Sequence, residues 1–104
     1  MFEIYKDKSG KFRFRLKAKN GEIICSSQAY TLKSSCLKGA SSLILNSRKN
    51  KSFKIVKNKA GKLFFNVVAG NNKVIATSQA YKSESSLKKG VDSVKKNATK
   101  KNLK

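Results

Sequence analysis

The chain contains two copies of one sequence motif. Compared with itself at a shift of 51 residues, FEIYKDKSGKFRFRLKAKNGEIICSSQAY from Phe2 aligns without gaps with FKIVKNKAGKLFFNVVAGNNKVIATSQAY from Phe53. SSCLKGASSL from Ser34 aligns in the same way with SSLKKGVDSV from Ser85. Internal repetition of this kind indicates that one supersecondary unit is built twice. We therefore divide the chain into a first repeat, residues 1–51, and a second repeat, residues 52–104, within one compact domain.

Each copy is predicted to contain three strands. The alternation of apolar and basic residues over 11–18 is typical of a strand with one buried face. A shorter run with Phe2 and Ile4 precedes it and turns through residues 7–10. The dipeptide Asn20-Gly21 is typical of a type I′ hairpin and leads into a third strand at residues 23–25. The second copy has Asn71-Asn72 at that turn, a weaker form of the same signal.

Two turn positions recur in both copies. Gly10 and Gly61 stand where a tight turn needs positive φ. Asp7 and Asn58 are equivalent, and a short side chain that bonds to nearby backbone explains both.

A helix is predicted after the third strand of each copy. Ser34 and Ser35 are candidate caps, and an apolar stripe follows at Cys36, Ala40 and Leu43, matched by Leu87, Val91 and Val94. Gly39 and Gly90 fall inside the helices, where we expect close packing against the sheet. The predicted fold class is α+β, with tandem β-β-β-α repeats that share one antiparallel sheet and pack two helices on one face.

These residues support a resemblance. FEIYKDKSGKFRFRLKAKNGE, SQAY and the ending KGVDSVKKNA resemble the YegP-like family of tandem-repeat domains over nearly the whole chain. The resemblance implies a β-β-β-α repeat whose two copies share a continuous sheet, and it allows for exchange of the strand that follows each helix. It implies no catalytic activity. The sequence departs from the family pattern in its scarcity of acidic residues and in its short ending TKKNLK.

The charge balance indicates a polyanionic partner. Lys and Arg number 25 against 5 Asp and Glu, a formal net charge of +20, and such a field attracts phosphate-rich molecules. The N-terminal MFEIYKDKSG lacks the apolar run of a signal peptide, so we expect a cytoplasmic protein. Cys25 and Cys36 are then expected to be free thiols in the core.

The sequence argues against an enzyme. There is no histidine, the five acidic residues form no paired-carboxylate spacing, and no glycine-rich phosphate loop occurs. Metal binding is disfavoured because Cys25 aligns with Ala76 and Cys36 with Leu87, which carry no ligand atoms. We expect no cofactor, no small-molecule substrate and no membrane association.

Three groups of residues are candidates for RNA contact. The outward face of the central strands offers Lys11, Arg13, Arg15, Lys17, Lys62 and Phe64, which combine phosphate binding with base stacking. The second helix and the tail offer Lys88, Lys89, Lys95, Lys96, Lys100 and Lys101. The segment between the repeats offers Arg48, Lys49 and Lys51. Alternatively, Phe64 and Val68 are covered by the other copy of the repeat or by a twin subunit, and the strand charges protect an exposed face against aggregation.

We expect an accessory ribosomal protein, with the large subunit favoured, that contacts rRNA phosphates and neighbouring ribosomal proteins. Two alternatives remain. One is a free nucleic-acid or nucleoid-associated protein, whose binding weakens steeply with salt. The other is a protein-interaction module that pairs through an exposed sheet edge. The extra apolar residues Leu37, Ile44 and Leu45 of the first helix also indicate a contact that the second helix does not make.

Overall fold

The structure, a computed structural model, describes residues 1–99 and Leu103. Strands β1 (Phe2–Lys6), β2 (Phe12–Lys17) and β3 (Ile23–Ser27) precede helix α1 (Lys33–Asn46). A short 3-10 turn (Asn50–Ser52) leads to β4 (Phe53–Lys57), β5 (Leu63–Val68) and β6 (Val74–Ser78), followed by helix α2 (Glu84–Asn97). The chain is thus α+β, with a β-β-β-α unit in each half, as predicted.

The six strands form one antiparallel sheet in the order β1-β2-β3-β6-β5-β4. The repeats meet in the middle, where Ser26 of β3 pairs with Thr77 of β6. These two residues are equivalent in the repeats, so the halves are related by an approximate twofold axis through this pair. Exchange of the strand after each helix does not occur in the described chain, because β4 pairs with β5 of its own repeat.

A single core lies between the sheet and the two helices. Phe14 and Leu16 of β2 and Phe65 and Val67 of β5 are fully buried, together with the predicted helix positions Cys36, Ala40, Leu43, Leu87 and Val94. Both helices pack on strands of both repeats, α1 on β2, β5 and β6, and α2 on β2, β3 and β5. The repeats therefore share one core, because each helix packs against strands of both repeats.

The last residue of the third strand in each repeat is a buried serine. Ser27 Oγ accepts a hydrogen bond from the Phe14 N–H at 3.0 Å and donates to the Gln28 carbonyl at 2.8 Å. Ser78 makes the same two bonds, with Phe65 at 2.9 Å and Gln79 at 2.8 Å. These hydroxyls satisfy central-strand amides that would otherwise be buried without a partner.

The hairpin turns differ in part from the prediction. Gly10 and Gly61 have φ of +80° and +81°, and Asp7 and Asn58 accept backbone N–H groups, as expected. The type I′ prediction at Asn20-Gly21 is wrong, because that turn needs positive φ at both residues and Asn20 does not have it. Ala18 instead pairs with Glu22 around a three-residue loop whose last residue, Gly21, has φ of +85°.

The predicted helix caps also need correction. Helix α1 begins at Lys33, so Ser34 and Ser35 lie inside its first turn, and its N-cap, Leu32, offers no side-chain acceptor. Helix α2 is capped by Ser83, whose side chain accepts the N–H of Ser86 at 3.2 Å. Ser83 and Leu32 are equivalent positions, so only the second copy has a side-chain cap.

Candidate nucleic-acid interface

The sheet face opposite the helices carries a row of side chains that crosses all six strands. Strand pairing places one residue of each strand in this row, which reads Glu3, Arg15, Ser26, Thr77, Asn66 and Lys54. The twofold axis relates Glu3 to Lys54 and Arg15 to Asn66. Within this row, the first repeat therefore contributes one pair of opposite charges, whereas the second repeat contributes a single cation and two neutral polar groups.

The basic residues predicted on β2 are ion-paired. Arg13 Nε lies 2.9 Å from Asp7 Oδ2, and Arg15 Nε contacts Glu3 Oε1. Lys17 Nζ lies 3.3 Å from the other oxygen of Glu3. The Arg15 guanidinium also stacks over the Tyr5 ring at 4.2 Å. The predicted basic stripe is thus partly neutralised, and binding phosphate there requires competition with a carboxylate.

The two carboxylates respond to these cations. The hydrogen bond from Lys17 is the main cause that lowers the pKa of Glu3, with Arg15 adding to it. The hydrogen bond from Arg13 is the main cause that lowers the pKa of Asp7, followed by the backbone N–H of Lys11. Both groups therefore stay ionised to lower pH than free carboxyls do.

The corresponding half of the second repeat lacks both acids. Asn58 replaces Asp7, Lys54 replaces Glu3, and Asn66 accepts a 2.7 Å hydrogen bond from the Thr77 hydroxyl. Phe64 is half-buried, and Val68 is covered within the chain, with 6% of its surface exposed. Lys11 and Lys62 are exposed in the turns before β2 and β5. Antiparallel pairing puts those turns at opposite ends of the sheet, so these two lysines are not brought together.

Helix α2 and the segment between the repeats form a second basic area. Lys88, Lys89, Lys95 and Lys96 are all exposed on α2. The Lys95 ammonium contacts Asn50 Oδ1 and lies 5.7 Å from the centre of the Phe53 ring. This contact joins the helix to the segment between the repeats. We use the name helix-linker surface for the basic residues of these two segments, which are Arg48, Lys49, Lys51, Lys88, Lys89, Lys95 and Lys96. Lys95 makes the contact with the linker, whereas Lys89 and Lys96 line cavities beside the hairpin between β2 and β3.

The cations of the helix-linker surface are not engaged by carboxylates. Within residues 1–99 and Leu103, ion pairs involve only Glu3 and Asp7, both on the opposite side of the sheet from the helices. Lys100 and Lys101, predicted to extend the basic area, lie outside the described residues. The cations of the helix-linker surface therefore form no ion pair in the described chain, and Asp92 is the acid that lies among its lysines on α2.

A small cavity opens beside the linker. Its volume is about 180 Å³, and three lysines, Lys49, Lys51 and Lys54, line it together with Ser52 and Asn72. Lys54 was not predicted as a site residue. The alignment of the two copies could have identified it, because Lys54 stands where the first copy has Glu3. A reversal of charge at equivalent positions indicates that the surfaces of the two copies differ although their fold is the same.

Side chains that could hold a metal ion are not gathered in the part of the chain that the structure describes. No three His, Cys, Asp or Glu side chains converge there. Cys25 and Cys36 are free and buried, and burial raises the pKa of the Cys25 thiol to about 12. Nor is either helix long and apolar enough to cross a membrane.

Two β-β-β-α units joined through their third strands, under helices that each span both halves, define a tandem-repeat α+β domain. Comparison with known proteins places it more narrowly. The model of the family described as "Domain of unknown function (DUF1508)" matches residues 7–51 and 58–104. The chain belongs to this family, which confirms the YegP-like resemblance.

Its relatives share both sequence and fold. The UPF0339 protein in the ptx operon 5' region of Stutzerimonas stutzeri is 48% identical over 97 residues, which cover 93% of this chain and 87% of the relative. The UPF0339 protein YegP of Escherichia coli K12 is 40% identical over 103 residues, covering 99% and 94%.

Two solution NMR structures extend the likeness to the fold. That of YegP from E. coli matches with a TM-score of 0.89 at 41% identity, covering 94% of this chain and 84% of that one. That of UPF0339 protein SO3888 from Shewanella oneidensis gives 0.88 at 37%, covering 93% and 82%.

Proposed function

We propose that this protein binds RNA, as an accessory ribosomal protein of the large subunit that contacts rRNA phosphates. The observation that carries the proposal is the helix-linker surface, where the contact of Lys95 with Asn50 unites two basic segments whose cations have no carboxylate partner among the described residues. Cations free of ion pairs can neutralise phosphates and release counterions without first displacing a carboxylate.

The residue types favour recognition of backbone over bases. The helix-linker surface consists of six lysines and one arginine, and an ammonium group binds phosphate as a point charge without reading a base edge. Double-stranded RNA is recognised largely by shape and backbone contacts. A structured RNA with closely spaced phosphates is therefore the partner that best suits this surface.

The sheet face supplies the second contact in this proposal. Arg13, Arg15 and Lys17 lie on the side of the sheet away from the helices, as does the half-buried Phe64 of the other repeat. An RNA phosphate that approaches Arg13 must displace Asp7, so this face contributes less than the helix-linker surface. Contact on two opposite sides suits a protein lodged between rRNA helices, and a cytoplasmic location follows from that role.

Charge-matched variants test the proposal. K95A/K96A, R13A/R15A and the control K8A/K59A each remove two positive charges, and the control residues are exposed in hairpin turns. Fluorescence anisotropy with a labelled rRNA hairpin is measured at several salt concentrations. We expect K95A/K96A to reduce the salt slope by about 1 for each phosphate that the variant no longer neutralises. R13A/R15A should weaken binding less, and K8A/K59A least.

If all three variants weaken binding equally, the interaction depends on the net charge alone and not on the position of the charges. That result would contradict the proposed surface. The ribosomal role is tested separately, by sedimentation of a cell extract through a sucrose gradient with detection of the protein. Comigration with the large subunit at moderate salt is expected. If the protein stays at the top of the gradient and binds duplex DNA as tightly as RNA, it is a free nucleic-acid-binding protein instead.

A further inference from the structure

The outer edge of β4 is an open strand edge. Asn58 N–H bonds to the Lys62 carbonyl at 2.8 Å, which sets the alternation of the β4 to β5 ladder. Hydrogen-bonded pairs recur every second residue in an antiparallel pair, so Lys54 and Val56 bond to β5. The N–H and C=O groups of Ile55 and Lys57 then point away from the sheet, as does the C=O of Phe53, whereas the Phe53 N–H donates to the Asn50 carbonyl. In the described chain the sheet ends at β4, and no strand takes up these groups.

Apolar side chains are exposed on both faces of this edge. Ile55 is 61% exposed on the helix side, and Val56 is 37% exposed on the other side. The equivalent residues of β1 are covered, because Ile4 packs partly buried against the core and Tyr5 lies under the Arg15 guanidinium. The two outer strands have thus diverged, and only β4 presents an uncovered apolar pair beside free backbone groups.

The charge around this edge has a single sign. Lys54 and Lys57 flank the apolar pair on β4 itself, and Lys59 follows in the turn. The acids that neutralise the equivalent part of the first repeat, Glu3 and Asp7, are replaced here by Lys54 and Asn58. Pairing with a second copy through β4 would bring lysines of both chains together, which opposes that association. An acidic segment meets complementary charge instead.

We propose that the β4 edge binds an extended acidic segment of another protein, which joins the sheet as a seventh strand. Side chains on the same face of neighbouring strands pair directly. The segment therefore carries acidic residues opposite Lys54 and Lys57, and β-branched apolar residues opposite Ile55 and Val56. Its core pattern is acidic, apolar, apolar, acidic. Backbone bonds to Ile55 and Lys57 supply affinity, and the flanking charges supply selectivity.

This site adjoins the helix-linker surface, because Lys54 lines the same cavity as Lys49 and Lys51, but the proposal does not depend on the proposed RNA binding. The edge uses Lys54, Ile55, Val56 and Lys57, whereas K95A/K96A changes α2 and R13A/R15A changes β2. Loss of one function therefore leaves the other measurable.

The test is an NMR titration of the ¹⁵N-labelled full chain with a peptide whose core is Glu-Val-Ile-Glu. We expect the largest shifts, and new protection from hydrogen exchange, at the amides of Ile55 and Lys57. A second peptide has the same side chains, but every other backbone amide is N-methylated. It therefore lacks the N–H donors along one edge of its extended backbone. At least one of the two alternating methylation patterns should weaken binding about tenfold or more.

A charge-reversed variant provides the second arm. K54E/K57E should bind the acidic peptide about tenfold more weakly and should instead take up a Lys-Val-Ile-Lys peptide. K6E on β1 is the control and should bind the acidic peptide as the wild type does. The proposal is overturned if both N-methylated peptides bind unchanged, if the shifts fall away from β4, if the free chain dimerises through this edge, or if an RNA hairpin perturbs these amides in place of the peptide.

Discussion

The hydroxyl group of Tyr81 occupies the space into which a side chain at Gly90 would project. A Cβ built at Gly90 would overlap this hydroxyl and lie 2.6 Å from Tyr81 Cζ. Gly39 and Tyr30 repeat the arrangement in the first copy, where the Cζ distance is 2.9 Å. The prediction that these glycines allow close packing is confirmed, and the tyrosine after each third strand is the group that packs there.

Alanine at either helical glycine should destabilise the fold. We expect G90A and G39A each to lower the free energy of unfolding by about 1–3 kcal/mol, because overpacking outweighs the better helix propensity of alanine. The measurement is urea denaturation followed by circular dichroism. G70A is the control, since a Cβ at Gly70 meets nothing within 4 Å. Unchanged stability in G90A would mean that Tyr81 moves aside without cost.

The helix caps should respond in opposite directions. S83A removes the acceptor for Ser86 N–H and should cost about 1 kcal/mol of stability. L32S installs the missing acceptor at the equivalent position of α1 and should stabilise the fold by about 0.5–1 kcal/mol, because Leu32 is 60% exposed and loses little burial. Thermal unfolding of both variants checks this. Destabilisation by L32S would show that the packing of Leu32 matters more than the cap.

Acid should weaken the fold through Glu3 and Asp7. Both carboxyls have a folded pKa below their ordinary values of 4.5 and 3.8. Their contribution is therefore present at neutral pH and is lost as the pH falls through the ordinary values toward the folded ones. Urea midpoints measured between pH 7 and pH 2 should decline in this range. E3Q/D7N should show a shallower decline, and Asn58 shows that asparagine preserves the turn at position 7.

The two thiols should be unreactive in the folded protein. Cys25 and Cys36 are 1% and 0% exposed, and burial raises the pKa of both. A thiol reagent should therefore modify them only as fast as the chain opens, and urea should accelerate the reaction. C25A should leave one slowly reacting thiol per chain. Rapid modification of the native wild type at neutral pH would contradict the buried positions.

The fold is predictable because each periodic pattern occurs twice. Alternation around Phe14 and Leu16 identifies the central strand, and the aligned Phe65 and Val67 support it. The cap prediction is wrong because serine occurs at several neighbouring positions, and any of them fits a cap. The N-cap of α2 is Ser83, and its equivalent in the first copy is Leu32. The turn prediction is wrong because the dipeptide Asn20-Gly21 fits more than one loop, and only backbone angles separate them.

The candidate site is less predictable. Alternation places Arg13 and Arg15 on the outward face but does not say what lies beside them. Their pairing with Asp7 and Glu3 depends on the register of the hairpin formed by β1 and β2. The length of the turn that contains Gly10 would have allowed that register to be predicted. The contact between Lys95 and Asn50 joins residues 45 positions apart and depends on how α2 crosses the sheet, which no local pattern encodes.

The pairing of Ser26 with Thr77 has a consequence for how such a surface can vary. In a symmetric dimer of identical one-repeat chains, the two equivalent positions would have to carry the same residue. Any substitution would therefore appear in both halves of the sheet. One continuous chain has no such restriction. Ile44 can remain in the core while the equivalent Lys95 reaches solvent, and the side chains of Ile4 and Tyr5 on β1 can be covered while those of Ile55 and Val56 on β4 stay exposed. Covalent linkage thus permits asymmetry within a symmetric scaffold.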